Sequence, residues 1–150
     1  MCLALAGISQ PIQAEEFRLS GTHKEYYEDG RIRSKSEYKD GKLDGYVREY
    51  HPNGQLAFVQ RIQHGKINGP VKAYYPSGKL QGETMYVNNS EDGPMREYYE
   101  NGVLKEEALY IRGQLVQVKT FDTEGRLVSN KDTNLSAGCV VVSDDTSQGL

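Results

Sequence analysis

An all-β fold is predicted, in which tandem antiparallel β-hairpins form a single elongated twisted sheet. Three observations predict it. The first is a period of 24 residues that sets Gly21, Gly45, Gly69 and Gly93 in one column and Gly30, Gly54, Gly78 and Gly102 in a second. A fixed period of this length signals a repeat architecture. The second is the series Asp29-Gly30, Asn53-Gly54, Ser77-Gly78, Asn101-Gly102 and Glu124-Gly125, each between two strand-like runs. Asn-Gly and Asp-Gly in that setting are a strong hairpin signal, because the tight turn needs residues at positive φ. The third is alternation after the turn, where Leu56, Phe58, Gln60 and Ile62 share one parity and Leu104, Glu106, Ala108 and Tyr110 repeat it. No segment shows an apolar stripe at helical spacing with caps, so almost no helix is expected.

In chain order, residues 1–14 differ from all that follows. Cys2–Ile8 is a short apolar run and Ser9–Ala14 a polar one, as in the later parts of a secretory signal cleaved after Ala14, although a basic start is lacking. An extra N-terminal strand on the first repeat is the competing reading. The run is too short to span a bilayer, which takes about 20 apolar residues. A cleaved signal would place the mature chain in the periplasm or outside the cell; without cleavage it stays in the cytoplasm. Cleavage would also leave Cys139 as the only cysteine, with no internal disulfide.

The repeat domain is expected over residues 15–128, with units 21–44, 45–68, 69–92 and 93–115 and a broken copy at 116–128. In each unit the first segment carries a tyrosine before the turn, and Ile32, Leu56, Leu80 or Leu104 follows it. The return turn carries Gly41 and Gly45, then Gly65 and Gly69, four residues apart, as if the backbone were held twice where side chains would clash. Pro70 and Pro94 follow repeat glycines at the start of a strand, where a missing N–H is tolerated. Gly93 opens the fourth unit. Val47 and Tyr50 are both apolar yet three apart, which puts them on opposite faces of an ideal strand. Either a bulge intervenes or both faces bury something. Residues 129–150 read as a polar tail.

Composition narrows the function classes. Eleven tyrosines against three phenylalanines and no tryptophan, with 37% hydrophobic residues, point to a thin tyrosine-faced structure. A net charge of −3 with both signs interleaved argues against a nucleic-acid binder, which shows a basic stripe. His23, His51 and His64 never stand at paired ligand spacing, so no metal site is expected. Asn88–Asp92 lacks the spaced carboxylates of a calcium loop. Catalysis needs unlike groups converging once, which a repeat does not supply, so no catalytic residue, cofactor or small-molecule substrate is expected.

The candidate protein-binding residues are Tyr26, Tyr27, Tyr50, Tyr74, Tyr75, Tyr98 and Tyr99. Neighbours on a strand point opposite ways, so one tyrosine of each pair lines the sheet and the other faces outward. Tyrosine is enriched at interfaces because it joins apolar area to a polar tip; cover for a thin core is the equal alternative. Lys24, Arg48, Lys72, Arg96 and Lys119 form a basic column. Glu25, Glu49 and Glu97 stand beside it, so a mixed solvated edge is expected there.

The pattern carried by Tyr26-Tyr27, Gly30, Tyr38, Gly41-Lys42 and Gly45, and again by Tyr50, Gly54-Gln55-Leu56, Gly65-Lys66 and Gly69, resembles the MORN repeat in its bacterial variant form. The likeness covers about residues 21–128 and departs from the pattern at Tyr86–Asp92 and at Gly113-Gln114. It implies single-layer arrays of antiparallel hairpins used for protein and sometimes lipid contact. Chains built mostly of this variant resemble the YwqK-type family of antitoxin components. That likeness implies a non-enzymatic antitoxin- or immunity-like partner of a toxin or other protein. The alternative is a scaffold contacting phospholipid at the cell envelope.

Overall fold

The computed structural model describes residues 19–133. The segment expected to be a secretory signal, both cysteines and residues 134–150 lie outside the described residues. The strands are β1 (Gly21–Tyr26), β2 (Ile32–Lys39), β3 (Lys42–Tyr50), β4 (Leu56–Gln63), β5 (Lys66–Ile67), β6 (Gly69–Tyr74), β7 (Leu80–Val87), β8 (Ser90–Tyr98), β9 (Leu104–Ile111), β10 (Gln114–Phe121) and β11 (Leu127–Asp132). Among the described residues strands make up 68% and helix none. They form one open antiparallel sheet in sequence order, with the two-residue β5 paired to β4 off the main path. Pairing continues past residue 128, where the repeat pattern stops, and the Thr133 N–H closes it on the Val116 carbonyl at 2.8 Å.

Sequence-adjacent pairing makes every contact local, as in other repeat arrays. Among the described residues no second layer covers the sheet. Only Val47, Ile62 and Ala108 are buried apolar residues among those described. Stability therefore comes from many half-buried side chains and a long ladder of backbone bonds.

The turns differ from the expectation. At each Xxx-Gly, the Gly30 N–H donates to the Tyr27 carbonyl at 2.9 Å and the Tyr27 N–H to the Arg31 carbonyl at 2.8 Å, and the next four hairpins repeat both bonds. Positive φ falls on the glycine alone, 82° at Gly30 and 86° at Gly54. This is the three-residue loop, a type I turn followed by a left-handed glycine, rather than a two-residue turn. Asp29, Asn53 and Asn101 serve it through their side chains, each accepting from the backbone N–H two residues on at 2.9–3.0 Å. The two-residue turns with both φ positive are the return turns. Their angles are 50° and 76° at Asp40-Gly41, 50° and 75° at His64-Gly65, and 50° and 79° at Arg112-Gly113. Asn88-Asn89, the departure from the repeat, fills the same turn at 52° and 70°, because asparagine tolerates this region.

Two bulges recur. Tyr26, Tyr50, Tyr74, Tyr98 and Phe121 pair with Ile32, Leu56, Leu80, Leu104 and Leu127, leaving one extra residue on the returning strand. Because the extra residue is on the partner, the first strand alternates unbroken. Val47 and Tyr50 therefore lie on opposite faces, Val47 buried and Tyr50 half-buried. The second bulge sets Asp44-Gly45-Tyr46 opposite Glu37. A Cβ on Gly45 would stand 2.6 Å from the Glu37 Cβ, and one on Gly93 would stand 3.3 Å from that of Met85. Around Gly65 and Gly69 there is open space instead, so the crowding expected there is absent and positive φ alone favours glycine. In the last hairpin this bulge is one residue shorter, Val116-Gln117 opposite Leu109, and no glycine occupies it.

A two-faced sheet as the candidate binding surface

Strand register sorts the candidate residues onto two faces, since directly paired residues share a face. Val47, Ile62 and Ala108 lie on the first. There Tyr38, Ile62, Tyr86 and Tyr110 each pair with a repeat glycine, Gly21, Gly45, Gly69 and Gly93. The large side chain covers the backbone that the glycine leaves bare. Burial and the Glu91 carboxylate, which accepts from the Tyr86 hydroxyl at 3.1 Å, raise the Tyr86 phenol above its ordinary range.

The second face carries the basic column. Reading across the strands, Lys24, Lys35, Arg48, Val59, Lys72, Glu83, Arg96, Glu107 and Lys119 form one continuous row. Glu25, Glu49 and Glu97, expected to neutralise the column, alternate onto the opposite face and do not join it. Counter-charge comes from the returning strands. Glu83 sits 3.3 Å from Lys72 and 3.8 Å from Arg96, and Glu107 sits 3.0 Å from Arg96. The row thus carries its own carboxylates in β7–β10 and none in β1–β4, where Arg48 alone of the row's cations has a carboxylate partner, Glu37 at 3.1 Å, among the described residues. The returning-strand residues Lys35, Val59, Glu83 and Glu107 form a 24-residue column of their own that changes from lysine to glutamate, and strand pairing sets it beside the basic column.

Beside the row, Tyr46 pairs with Arg61. The Arg48 and Arg61 guanidinium carbons stand 4.6 and 5.8 Å from the Tyr46 ring centre, and Lys35 Nζ stands 5.3 Å from that of Tyr50. Glu37 is held by the Tyr46 N–H at 2.9 Å and by Arg48 at 3.1 Å. The backbone bond comes first, and with the guanidinium it overcomes desolvation and lowers the Glu37 carboxyl below its ordinary value.

The tyrosine pairs divide by role. Tyr26, Tyr50, Tyr74 and Tyr98 fall by alternation on the basic face. Their partners reach the next repeat: the Tyr27 hydroxyl donates to the Tyr50 carbonyl at 2.5 Å, Tyr75 to Tyr98 at 2.8 Å and Tyr99 to Phe121 at 2.9 Å. His51 occupies the same position, its Nε2 donating to the Tyr74 carbonyl at 2.8 Å. A parallel ladder runs along the turns, where Asn53 donates to the Pro76 carbonyl at 2.7 Å and Asn101 to that of Thr123 at 3.1 Å. Tyr26 and Tyr27 also border an open depression of about 550 Å³ beside Pro52. Among the described residues, no three His, Cys, Asp or Glu side chains gather as a metal ion would need.

The family model described as MORN repeat variant matches residues 19–40, 43–60, 67–88 and 91–112. Each match begins two residues ahead of a repeat glycine. No curated protein matches the chain. Among solved structures, a mutant of S. aureus TarM in complex with fondaparinux, alpha-GlcNAc-glycerol and UDP is 8% identical, with a TM-score of 0.41. That match covers 67% of this chain and 20% of that one. A second structure of TarM is 10% identical, with a TM-score of 0.40, over 67% of this chain and 19% of that one. The chain thus spans about a fifth of the length of these structures.

Proposed function

This chain belongs to the MORN repeat variant family, and from that premise we propose that it is a non-enzymatic module that binds another protein across several hairpins. The supporting observation is the second face, where rows of tyrosine and cationic side chains run from hairpin to hairpin with no layer packed over them among the described residues. Such a surface offers repeated contacts of one kind, which suits an extended partner better than a single small molecule. In the finer reading, which rests on the resemblance to YwqK-type chains, the partner is a toxin and this chain its antitoxin or immunity protein.

The second reading is a scaffold on a phospholipid surface. Exposed Met85, Val87, Leu109 and Ile111 favour it, since they fall on the same face as the cations. Affinity recovery from native cells separates the two readings. The recovered protein is purified alone and titrated calorimetrically against this chain. A stoichiometric complex supports protein binding. No such complex, together with salt-sensitive flotation on anionic vesicles, overturns it in favour of the membrane.

A further inference from the structure

We infer that the basic half of the second face, over β1–β6, is the docking platform and that its occupant is an acidic polypeptide segment. This deepens the protein-binding reading and rests on it. Lys24, Lys35, Arg48, Arg61 and Lys72 share this half of the face with two carboxylates, Glu37 and, by alternation along β3, Asp44. Glu37 is already committed to the Tyr46 N–H and to Arg48. Among the described residues no carboxylate pairs with Lys24, Lys35 or Arg61. A chain of net charge −3 therefore segregates a net positive field onto half of one face. Fields of this kind steer and orient an oppositely charged partner.

The same half presents Tyr46, 41% exposed and flanked by two guanidinium groups. An extended acidic segment can set carboxylates on Lys24, Lys35 and Arg61 and rest apolar atoms on that ring. A bilayer fits less well. The exposed aliphatic side chains Met85, Leu109 and Ile111 that would insert belong to β7 and β9, where Glu83 and Glu107 share the face. A flat anionic surface over the whole face would press those carboxylates against its headgroups. A polypeptide can occupy the basic half alone.

The test uses a fluorescein-labelled twelve-residue peptide of alternating glutamate and serine, followed by anisotropy at low and at physiological salt. The proteins are the full chain, the double variant Lys35→Ala/Arg61→Ala and the control Lys119→Ala, each shown to be folded by its melting temperature. Peptide binding that weakens about tenfold or more in the double variant and at higher salt, yet is unchanged in the control, is the expected result. No binding, or equal loss in all variants, overturns the assignment. Tighter binding of oligothymidylate, or of vesicles of phosphatidylcholine and phosphatidylserine at three to one, through the same residues also overturns it. The native partner separates this claim from its premise. If that partner binds the double variant as tightly as the parent, the platform is wrong and the protein-binding reading stands.

Discussion

The Tyr75 hydroxyl donates to the backbone carbonyl of Tyr98, 2.8 Å away and one repeat further along the sheet. Tyr27 and Tyr99 make the same bond. The carbonyl lies at the bulge that ends the first strand of each hairpin, where the ladder is out of register. The second tyrosine of each pair is therefore a staple between repeats. Tyr75→Phe keeps the ring and leaves that carbonyl without its partner. It should cost about 1 kcal/mol, seen as a lower urea midpoint with an unchanged slope. An unchanged midpoint would show that the bond contributes nothing.

Much of this architecture was legible in the sequence, because each repeat writes its turn glycines and its alternation again. Turn type was not. Asn53-Gly54 resembles a two-residue turn by composition, but loop length is set by which carbonyl the His51 N–H reaches. The tyrosine roles were hidden as well, since the acceptor for Tyr27 lies 23 residues away, in the next repeat. The charge balance of the basic face depends on Lys35, Glu83 and Glu107, which share a 24-residue column on the returning strands, and only the strand pairing places that column beside the basic one.

The bulge at Gly45 should tolerate no side chain. Gly45→Ala would set a Cβ against that of Glu37 at 2.6 Å, at a φ of 132°. Gly102 also has positive φ, 89°, but nothing lies within 4 Å of a Cβ placed there. Gly102→Ala should therefore cost about 1–2 kcal/mol from backbone strain alone. Gly45→Ala should cost more, because a neighbour must also move. Thermal unfolding of the two variants compares them, and equal losses would rule out a steric role for Glu37.

Acidification should weaken the fold partly through Glu37. Its carboxyl is held below the ordinary 4.5 by the Tyr46 N–H and then by Arg48, against the opposing effect of desolvation. A depressed folded pKa gives stability that is present above the unfolded value and is lost as pH falls through the folded one. Between pH 5 and pH 3, by the ordinary carboxylate range, the parent should therefore lose more stability than Glu37→Gln. Urea midpoints across that window check it, and parallel curves would contradict it.

The account rests on one division: the first tyrosine of each pair faces a partner and the second holds the sheet together. Calorimetric titration of the protein recovered from native cells against Tyr50→Ala, Tyr74→Ala and Tyr75→Phe, each with its melting temperature, tests that division directly. An interface aromatic cut to alanine costs about 2 kcal/mol or more where it matters, roughly thirtyfold in affinity. The account predicts a loss of that order for Tyr50→Ala and Tyr74→Ala while both remain folded at the titration temperature. It predicts a lowered melting temperature with unchanged affinity for Tyr75→Phe. Folded Tyr50→Ala and Tyr74→Ala variants that bind as tightly as the parent would contradict it.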